Sequence, residues 1–108
     1  MKLLELITYL LDPKRLDELY REYHLNIDSE ALLIYMEGSL DLESDIKFFE
    51  IEETEDALIF EKNGVQYVQL FALHYATELI ESDLNLKNKG YSDLEISERL
   101  LAYRQNDA

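Results

Sequence analysis

The chain lacks most of the residues on which common catalytic and cofactor motifs depend. Its 108 residues include no cysteine, no tryptophan, one proline and three glycines. Without cysteine there are no disulfides, thiolate metal sites or thiol nucleophiles, and this absence suits a reducing compartment. Three glycines leave no phosphate-cradling loop or dinucleotide fingerprint, and none of the six serines lies in Gly-x-Ser-x-Gly. We therefore expect no cofactor and no enzymatic activity.

Basic residues are also scarce, and the acidic ones are concentrated in one stretch. The chain has 10 Lys and Arg against 24 Asp and Glu, for a net charge of −14. Residues 28–56 contain eleven carboxylates and a single cation, Lys47, and so account for −10 of that charge. A field of this sign repels nucleic acid and anionic membranes but attracts basic proteins. The charge predicts a basic protein partner, with no direct binding to nucleic acid or membrane.

Length and apolar content indicate one folded domain over residues 1–108. Apolar residues make up 47% of the chain, which is enough for a core, and the length is close to the commonest domain size. The apolar N-terminal stretch resembles a signal peptide, but Glu5 interrupts it and no small-residue cleavage site follows. No apolar run is long enough to span a membrane. We expect a cytoplasmic protein.

The first third of the chain predicts three helices, over residues 2–11, 13–23 and 30–37. Apolar residues recur at helical spacing in each segment. Asp12 is placed to cap the second helix, with Pro13 at its first position. Asp28 or Ser29 would cap the third helix, which Gly38 would end.

The middle of the chain predicts strands over residues 46–51, 57–62 and 65–70. Asn63-Gly64, flanked by apolar runs, predicts a two-residue type I′ hairpin. This register pairs Phe60 with Tyr67, and Leu58 with Gln69, on one face. Residues 52–56 would form an acidic turn between the first two strands, which gives an antiparallel meander.

Two further helices are predicted after the strands. Residues 71–83 carry apolar residues on more than one side, which is typical of a central helix. The sequence Ser92-Asp93-Leu94-Glu95 is a capping box that opens the last helix. The predicted fold class is therefore α+β, with three N-terminal helices, a three-stranded antiparallel meander and two C-terminal helices.

Three helices followed by a hairpin resemble, in layout only, a winged-helix DNA-binding domain. The third predicted helix, however, carries two acids and no basic residue over residues 29–37. Phosphate contacts dominate affinity for nucleic acid, so this surface would be repelled. If the layout were present, it would serve protein contact.

Two groups of residues have spacings that a metal site could use. His74 and Glu78 lie at i, i+4, with Glu81 about one turn further, but a usable site needs three or four ligands. A packed histidine bonded to a neighbour is the favoured alternative. Asp41, Glu43, Asp45 and Glu52 occupy positions 1, 3, 5 and 12 of an EF-hand-like loop. Its sixth position is Ile46, where a glycine is required, so we interpret this match as coincidence.

The favoured function is a non-enzymatic protein-binding domain whose acidic surface engages a basic partner. In its sharpest form the protein is an inhibitor, immunity-like protein or nucleic-acid mimic, with carboxylates standing in for phosphates. That analogy rests on charge and size. The residues expected to bind the partner are Glu37, Asp41, Glu43, Asp45, Glu50, Glu52, Glu53, Glu55 and Asp56.

Three alternatives remain open at this point. The acidic run could be a solvated surface that only keeps the protein soluble. The protein could be a homodimer or adaptor that uses an apolar face, either Leu58, Phe60 and Tyr67, or Leu3, Leu6, Ile7 and Leu10. Third, it could be a metal-dependent enzyme that uses His74, Glu78 and Glu81.

Overall fold

Two short helices open the fold. The computed structural model describes residues 1–26 and 31–107, and its first elements are α1 (Leu3–Leu10) and α2 (Pro13–Glu22). Both helices confirm the prediction. The Asp12 side chain accepts a hydrogen bond from the Lys14 backbone N–H at 3.0 Å, which caps α2 at its N-terminus.

The third predicted helix is wrong, because this segment is a strand, β1 (Leu32–Glu37). Residues 32–36 are all apolar and at most 7% exposed. A central strand is buried on both faces and so loses the alternation that identifies a strand in a sequence. The proposed caps, Asp28 and Ser29, lie outside the described residues. Without this helix, the winged-helix layout is absent as well.

Four antiparallel strands form one sheet, and their order is not that of a meander. The other strands are β2 (Ile46–Glu50), β3 (Ile59–Lys62) and β4 (Val65–Ala72). The spatial order is β2-β1-β4-β3, so the two strands that were predicted to be neighbours, β2 and β3, lie at opposite edges. The additional strand β1 sits between them and pairs with both β2 and β4.

The Asn63-Gly64 hairpin is confirmed. Both residues have positive φ, 54° for Asn63 and 79° for Gly64, as a type I′ turn requires. Phe60 pairs with Tyr67 in the predicted register. The Gln69 backbone N–H donates to the Leu58 carbonyl at 2.9 Å and extends the ladder beyond β3.

The sheet is strongly curled. In a flat sheet the two edge strands of four would lie about 14 Å apart, at about 4.8 Å per strand. The rings of Phe49 on β2 and Phe60 on β3 are nevertheless only 5.1 Å apart between centroids. The predicted acidic turn between these strands contains a single helical turn, α3 (Ile51–Thr54).

Helices cover the face of the sheet opposite the rings of Phe49 and Phe60. The predicted central helix comprises α4 (Leu73–Glu78) and a π-helical turn (Leu79–Asp83), and a 3₁₀ turn (Leu86–Asn88) and α5 (Asp93–Asp107) follow. Ile34, Leu70, Leu79, Ile80 and Ile96 are each at most 2% exposed in the shared core.

Two local details explain how β4 and α5 fit this core. Ile34 of β1 pairs with Phe71 of β4, whereas the next residue, Tyr35, pairs with Gln69, so Leu70 forms a β-bulge. Because of this bulge, the side chains of Leu70 and Phe71 both pack in the core between the sheet and the helices. The capping box is confirmed, because Ser92 and Glu95 each bind the other's backbone N–H at 3.2 Å. Within the described part of the chain, no helix has the length and apolar character needed to cross a bilayer.

The left-handed turn gives a first prediction. Gly64→Ala should lower the free energy of unfolding by about 1–2 kcal/mol, the cost of a left-handed conformation for an ordinary residue. No atom lies within 4 Å of the added Cβ, so the effect reports the backbone alone. Urea denaturation measures this change in the free energy of unfolding. The control is Gly64→Asn, which should lower the free energy of unfolding by less than half as much. Equal losses for the two variants would contradict the turn.

Candidate functional site

The nine predicted partner-binding acids do not form a single cluster. Eight are exposed and Glu50 is half-buried. The antiparallel β1–β2 hairpin divides them into two groups at opposite ends of β2, which at five residues is about 16 Å long. The turn group lies at the turn between β1 and β2 and comprises Glu37, Asp41, Glu43 and Asp45. The connection group lies at the connection from β2 to β3 and comprises Glu50, Glu52, Glu53, Glu55 and Asp56.

Neighbouring cations partly neutralise the turn group. One Asp45 carboxylate oxygen lies 3.9 Å from the N-terminal ammonium and 3.6 Å from Lys2 Nζ. Lys2 Nζ also donates to the Glu43 carbonyl at 3.0 Å, and Asp41 accepts from the Glu43 backbone N–H at 2.8 Å. These contacts fasten the start of the chain to the β1–β2 turn, which is a structural role for part of this group.

The connection group keeps most of its charge uncompensated. Glu53 pairs with Lys62, whose Nζ lies 2.6 Å from the carboxylate. Glu50, Glu52 and Glu55 form no salt bridge with any residue that the structure describes. Five carboxylates within seven residues therefore face a single paired cation.

The local sequence explains why these carboxylates point outward. Ile51 and Thr54 are spaced one helical turn apart and face inward, with Thr54 only 3% exposed. Glu55 and Asp56 follow α3 in consecutive left-handed conformations, with φ of 55° and 59°. A left-handed residue other than glycine costs about 1–2 kcal/mol, so tertiary contacts must hold this turn.

A buried tyrosine supplies those contacts. Tyr35 on β1 is fully buried, and its hydroxyl donates to the Ala57 carbonyl at 2.6 Å. The Gln69 side-chain amide donates to the Asp56 carboxylate at 2.9 Å and lies 3.3 Å from the Tyr35 hydroxyl. The residues after α3 are thus bonded to both central strands of the sheet.

Aromatic rings fill the space between the sheet and this connection. Phe49 contacts Phe60 and Tyr67 with centroid separations of 5.1 and 5.2 Å, and it also contacts Tyr35 at 5.6 Å. Tyr67 is 9% exposed, whereas Leu58 is 61% exposed. The apolar face proposed for a homodimer is therefore largely covered by the chain itself, with Leu58 as the exception.

The second face proposed for a dimer is covered as well. Four α1 side chains are at most 2% exposed and belong to the helix-side core: Leu3, Leu6, Ile7 and Leu10. Neither apolar surface predicted for self-association is available as a whole.

Neither metal arrangement assembles three ligands among the described residues. His74 Nε2 lies 2.9 Å from a Glu78 carboxylate oxygen, but the His74 side chain is 87% exposed and Glu81 does not join the pair. The calcium-loop candidates are divided, because Asp41, Glu43 and Asp45 precede β2 and Glu52 follows it. His74 and Glu78 therefore form an exposed side-chain contact on α4.

Sequence reasoning did not identify Tyr35 and Gln69 as residues that position the site. Neither lies in a motif, and their proximity depends on the pairing of β1 with β4. One signal was present, since Ile51 and Thr54 interrupt the acidic run at helical spacing and indicate one inward-facing turn.

Removing the Tyr35 hydroxyl tests its role. Tyr35→Phe should lower the free energy of unfolding by about 1–3 kcal/mol, because the Ala57 carbonyl keeps only a longer hydrogen bond, from the Gln69 side-chain amide at 3.4 Å, and that amide loses the Tyr35 hydroxyl as an acceptor. Amide hydrogen exchange of residues 55–58 should also accelerate. The control is Tyr67→Phe, whose hydroxyl has no hydrogen bond to the described residues, and it should change stability by less than about 0.5 kcal/mol. Unchanged exchange in Tyr35→Phe would show that the connection is held by other contacts.

Comparison of the chain with protein-family models, curated proteins and solved structures gives no match.

Proposed function

We propose that the protein is a non-enzymatic protein-binding domain of the cytoplasm whose connection group engages a basic partner. The observation that carries this proposal is the uncompensated charge of five carboxylates, four of them exposed, with one salt bridge to the described residues among them. Clustered charge of one sign raises the rate of encounter with an oppositely charged protein by factors of 10–10³, as an order of magnitude.

The fixed conformation of the connection supports binding over simple solubility. A surface that only keeps a protein soluble does not require a glutamate in a left-handed conformation, where glycine, asparagine or aspartate would cost less. Here Glu55 adopts this conformation, with Asp56 after it, and Tyr35 and Gln69 hold the segment. A rigid site loses less conformational entropy when a partner binds.

In the sharpest form of the proposal, the carboxylates occupy the nucleic-acid-binding or catalytic surface of the partner. Carboxylates on a rigid scaffold would take the place of phosphates, as in an inhibitor, an immunity-like protein or a nucleic-acid mimic. The turn group would add a second contact only for a partner wide enough to reach both ends of β2.

The test compares two charge-reversal variants of equal net charge. Glu52→Lys/Glu55→Lys alters the connection group, and Asp17→Lys/Glu98→Lys alters two exposed acids on α2 and α5. Each protein is tagged and used to capture partners from native lysate, with elution by rising salt and identification by mass spectrometry. We expect a basic protein that elutes at low to moderate salt and associates with the connection variant about tenfold more slowly.

The control variant should associate with that partner within about twofold of the wild-type rate, since local fields dominate over net charge at physiological salt. Salt-insensitive binding, or equal slowing by both variants, would refute the proposal. A dimer that persists at high salt in light scattering would favour the homo-oligomer instead.

A further inference from the structure

A groove opens at the edge of the sheet where β4 extends beyond β3. β3 begins at Ile59, opposite Val68, whereas β4 continues to Ala72. The space beside the end of β4 is a groove of about 400 Å³, which α4 and α5 also line. This volume lies in the range of about 300–1,000 Å³ that is typical of small-molecule sites.

Apolar and aromatic side chains form most of the groove. The Phe71 ring lies 5.6 Å from the Tyr75 ring and 6.1 Å from the Tyr103 ring, between centroids. The two tyrosine hydroxyls lie 3.2 Å apart, within hydrogen-bonding distance of each other. Leu58, which also lines the groove, is 61% exposed. The three rings therefore form a preformed wall, and Leu58 offers apolar surface that a ligand could cover.

Arg104 is the charged residue in this lining, among the residues that the structure describes. It is half-buried, and its Nε donates to the Gln69 carbonyl at 3.1 Å, which fixes the guanidinium at the edge of β4. The four N–H groups of its two terminal nitrogens remain. They form neither a salt bridge nor a hydrogen bond with the described part of the chain.

A fixed guanidinium without an acidic partner favours an anion at this point of the groove. Partial removal of a charge from water is costly unless the charge is paired. No Asp or Glu among the described residues lines the groove, although the chain has 24 acids and 10 basic residues. A carboxylate could accept two parallel hydrogen bonds from the terminal nitrogens, which is the strong bidentate arrangement.

We propose that this groove binds a small carboxylic acid with an apolar chain or ring. Its carboxylate would pair with Arg104, and its apolar part would lie against the aromatic wall and Leu58. The inference goes beyond the proposed function and does not depend on it, because the connection group takes no part in this site. The net charge of −14 opposes the approach of an anion, but this repulsion is screened beyond about 8 Å at physiological salt.

An added peptide strand is disfavoured as the occupant. Strand addition requires free backbone groups along the edge of a sheet. On this edge both backbone groups of Gln69 are already bonded, the N–H to the Leu58 carbonyl at 2.9 Å and the carbonyl to Arg104. The occupant that fits best is therefore a free acid.

Three ligands of one shape and different charge test the proposal. Hydrocinnamate is the carboxylate, hydrocinnamamide is its neutral analogue and phenylpropylamine is its cationic analogue. Each is titrated into the ¹⁵N-labelled full chain and followed by NMR shifts. We expect hydrocinnamate to shift the backbone amides of Leu58, Phe71 and Tyr75 and the Arg104 Nε–H, and to bind about tenfold more tightly than the amide. The amine should leave these signals unshifted.

Variants separate the contribution of the charge from that of the apolar surface. Arg104→Gln should lower the affinity for hydrocinnamate about tenfold, to that of the amide, and Arg104→Lys should restore part of it. Leu58→Ser should weaken binding of the acid and the amide equally. The matched control is Arg99→Gln, at an exposed arginine of α5 that stacks on the Tyr91 ring at 4.1 Å, and it should change neither affinity by more than about twofold.

Several results would overturn the proposal, and none of them bears on the basic partner of the connection group. Equal affinities of the wild-type protein for the acid and the amide would show that Arg104 does not select an anion, even if Arg104→Gln fails to fold. An equal loss of hydrocinnamate binding in Arg99→Gln would reduce the effect to net charge. Tighter binding of a short peptide that ends in a phenylalanine carboxylate would replace the small acid with a chain terminus. Line broadening that grows with protein concentration without ligand would indicate a second copy instead.

Discussion

The hydrogen bond from the Tyr35 hydroxyl to the Ala57 carbonyl connects the interior of the sheet to its acidic surface. A fully buried hydroxyl requires a partner, because leaving it unpaired costs about 1–3 kcal/mol. Here the partner belongs to the segment that joins the two edge strands. The same bond therefore fixes the direction of the chain after α3, the left-handed acids next to it and the exposed Leu58 that follows. The core and the candidate binding surface cannot vary independently.

The fold accommodates its high charge by dividing it. The β1–β2 hairpin places the turn group and the connection group about 16 Å apart along β2. This separation exceeds the Debye length of about 8 Å at physiological ionic strength, so the two groups repel each other only weakly. Repulsion within the connection group remains, and among the residues that the structure describes only the Glu53–Lys62 salt bridge relieves it directly. A basic partner would remove the rest, which is the energetic argument for binding at this group over the other.

The sequence allowed prediction of the features that depend on neighbouring residues. The Asp12 cap, the Asn63-Gly64 turn and the Ser92 capping box are all local chemistry, and all three are confirmed. β1 was mistaken for a helix because its buried residues show no alternation. The strand order was wrong because no local signal reports that β1 pairs with β4. For the same reason, the nine acids were grouped by position in the chain, whereas the hairpin separates them in space.

The strand order also has a consequence for how the chain folds. Two hairpins, β1–β2 and β3–β4, join strands that are close in sequence, whereas β1 meets β4 only after β2, α3 and β3 have intervened. Because loop closure costs more entropy over longer separations, the hairpins should form first and dock afterwards. The aromatic rings come from both hairpins, with Tyr35 and Phe49 in the first and Phe60 and Tyr67 in the second. The cluster therefore forms at the docking step, and the acidic connection becomes ordered only when the sheet is complete.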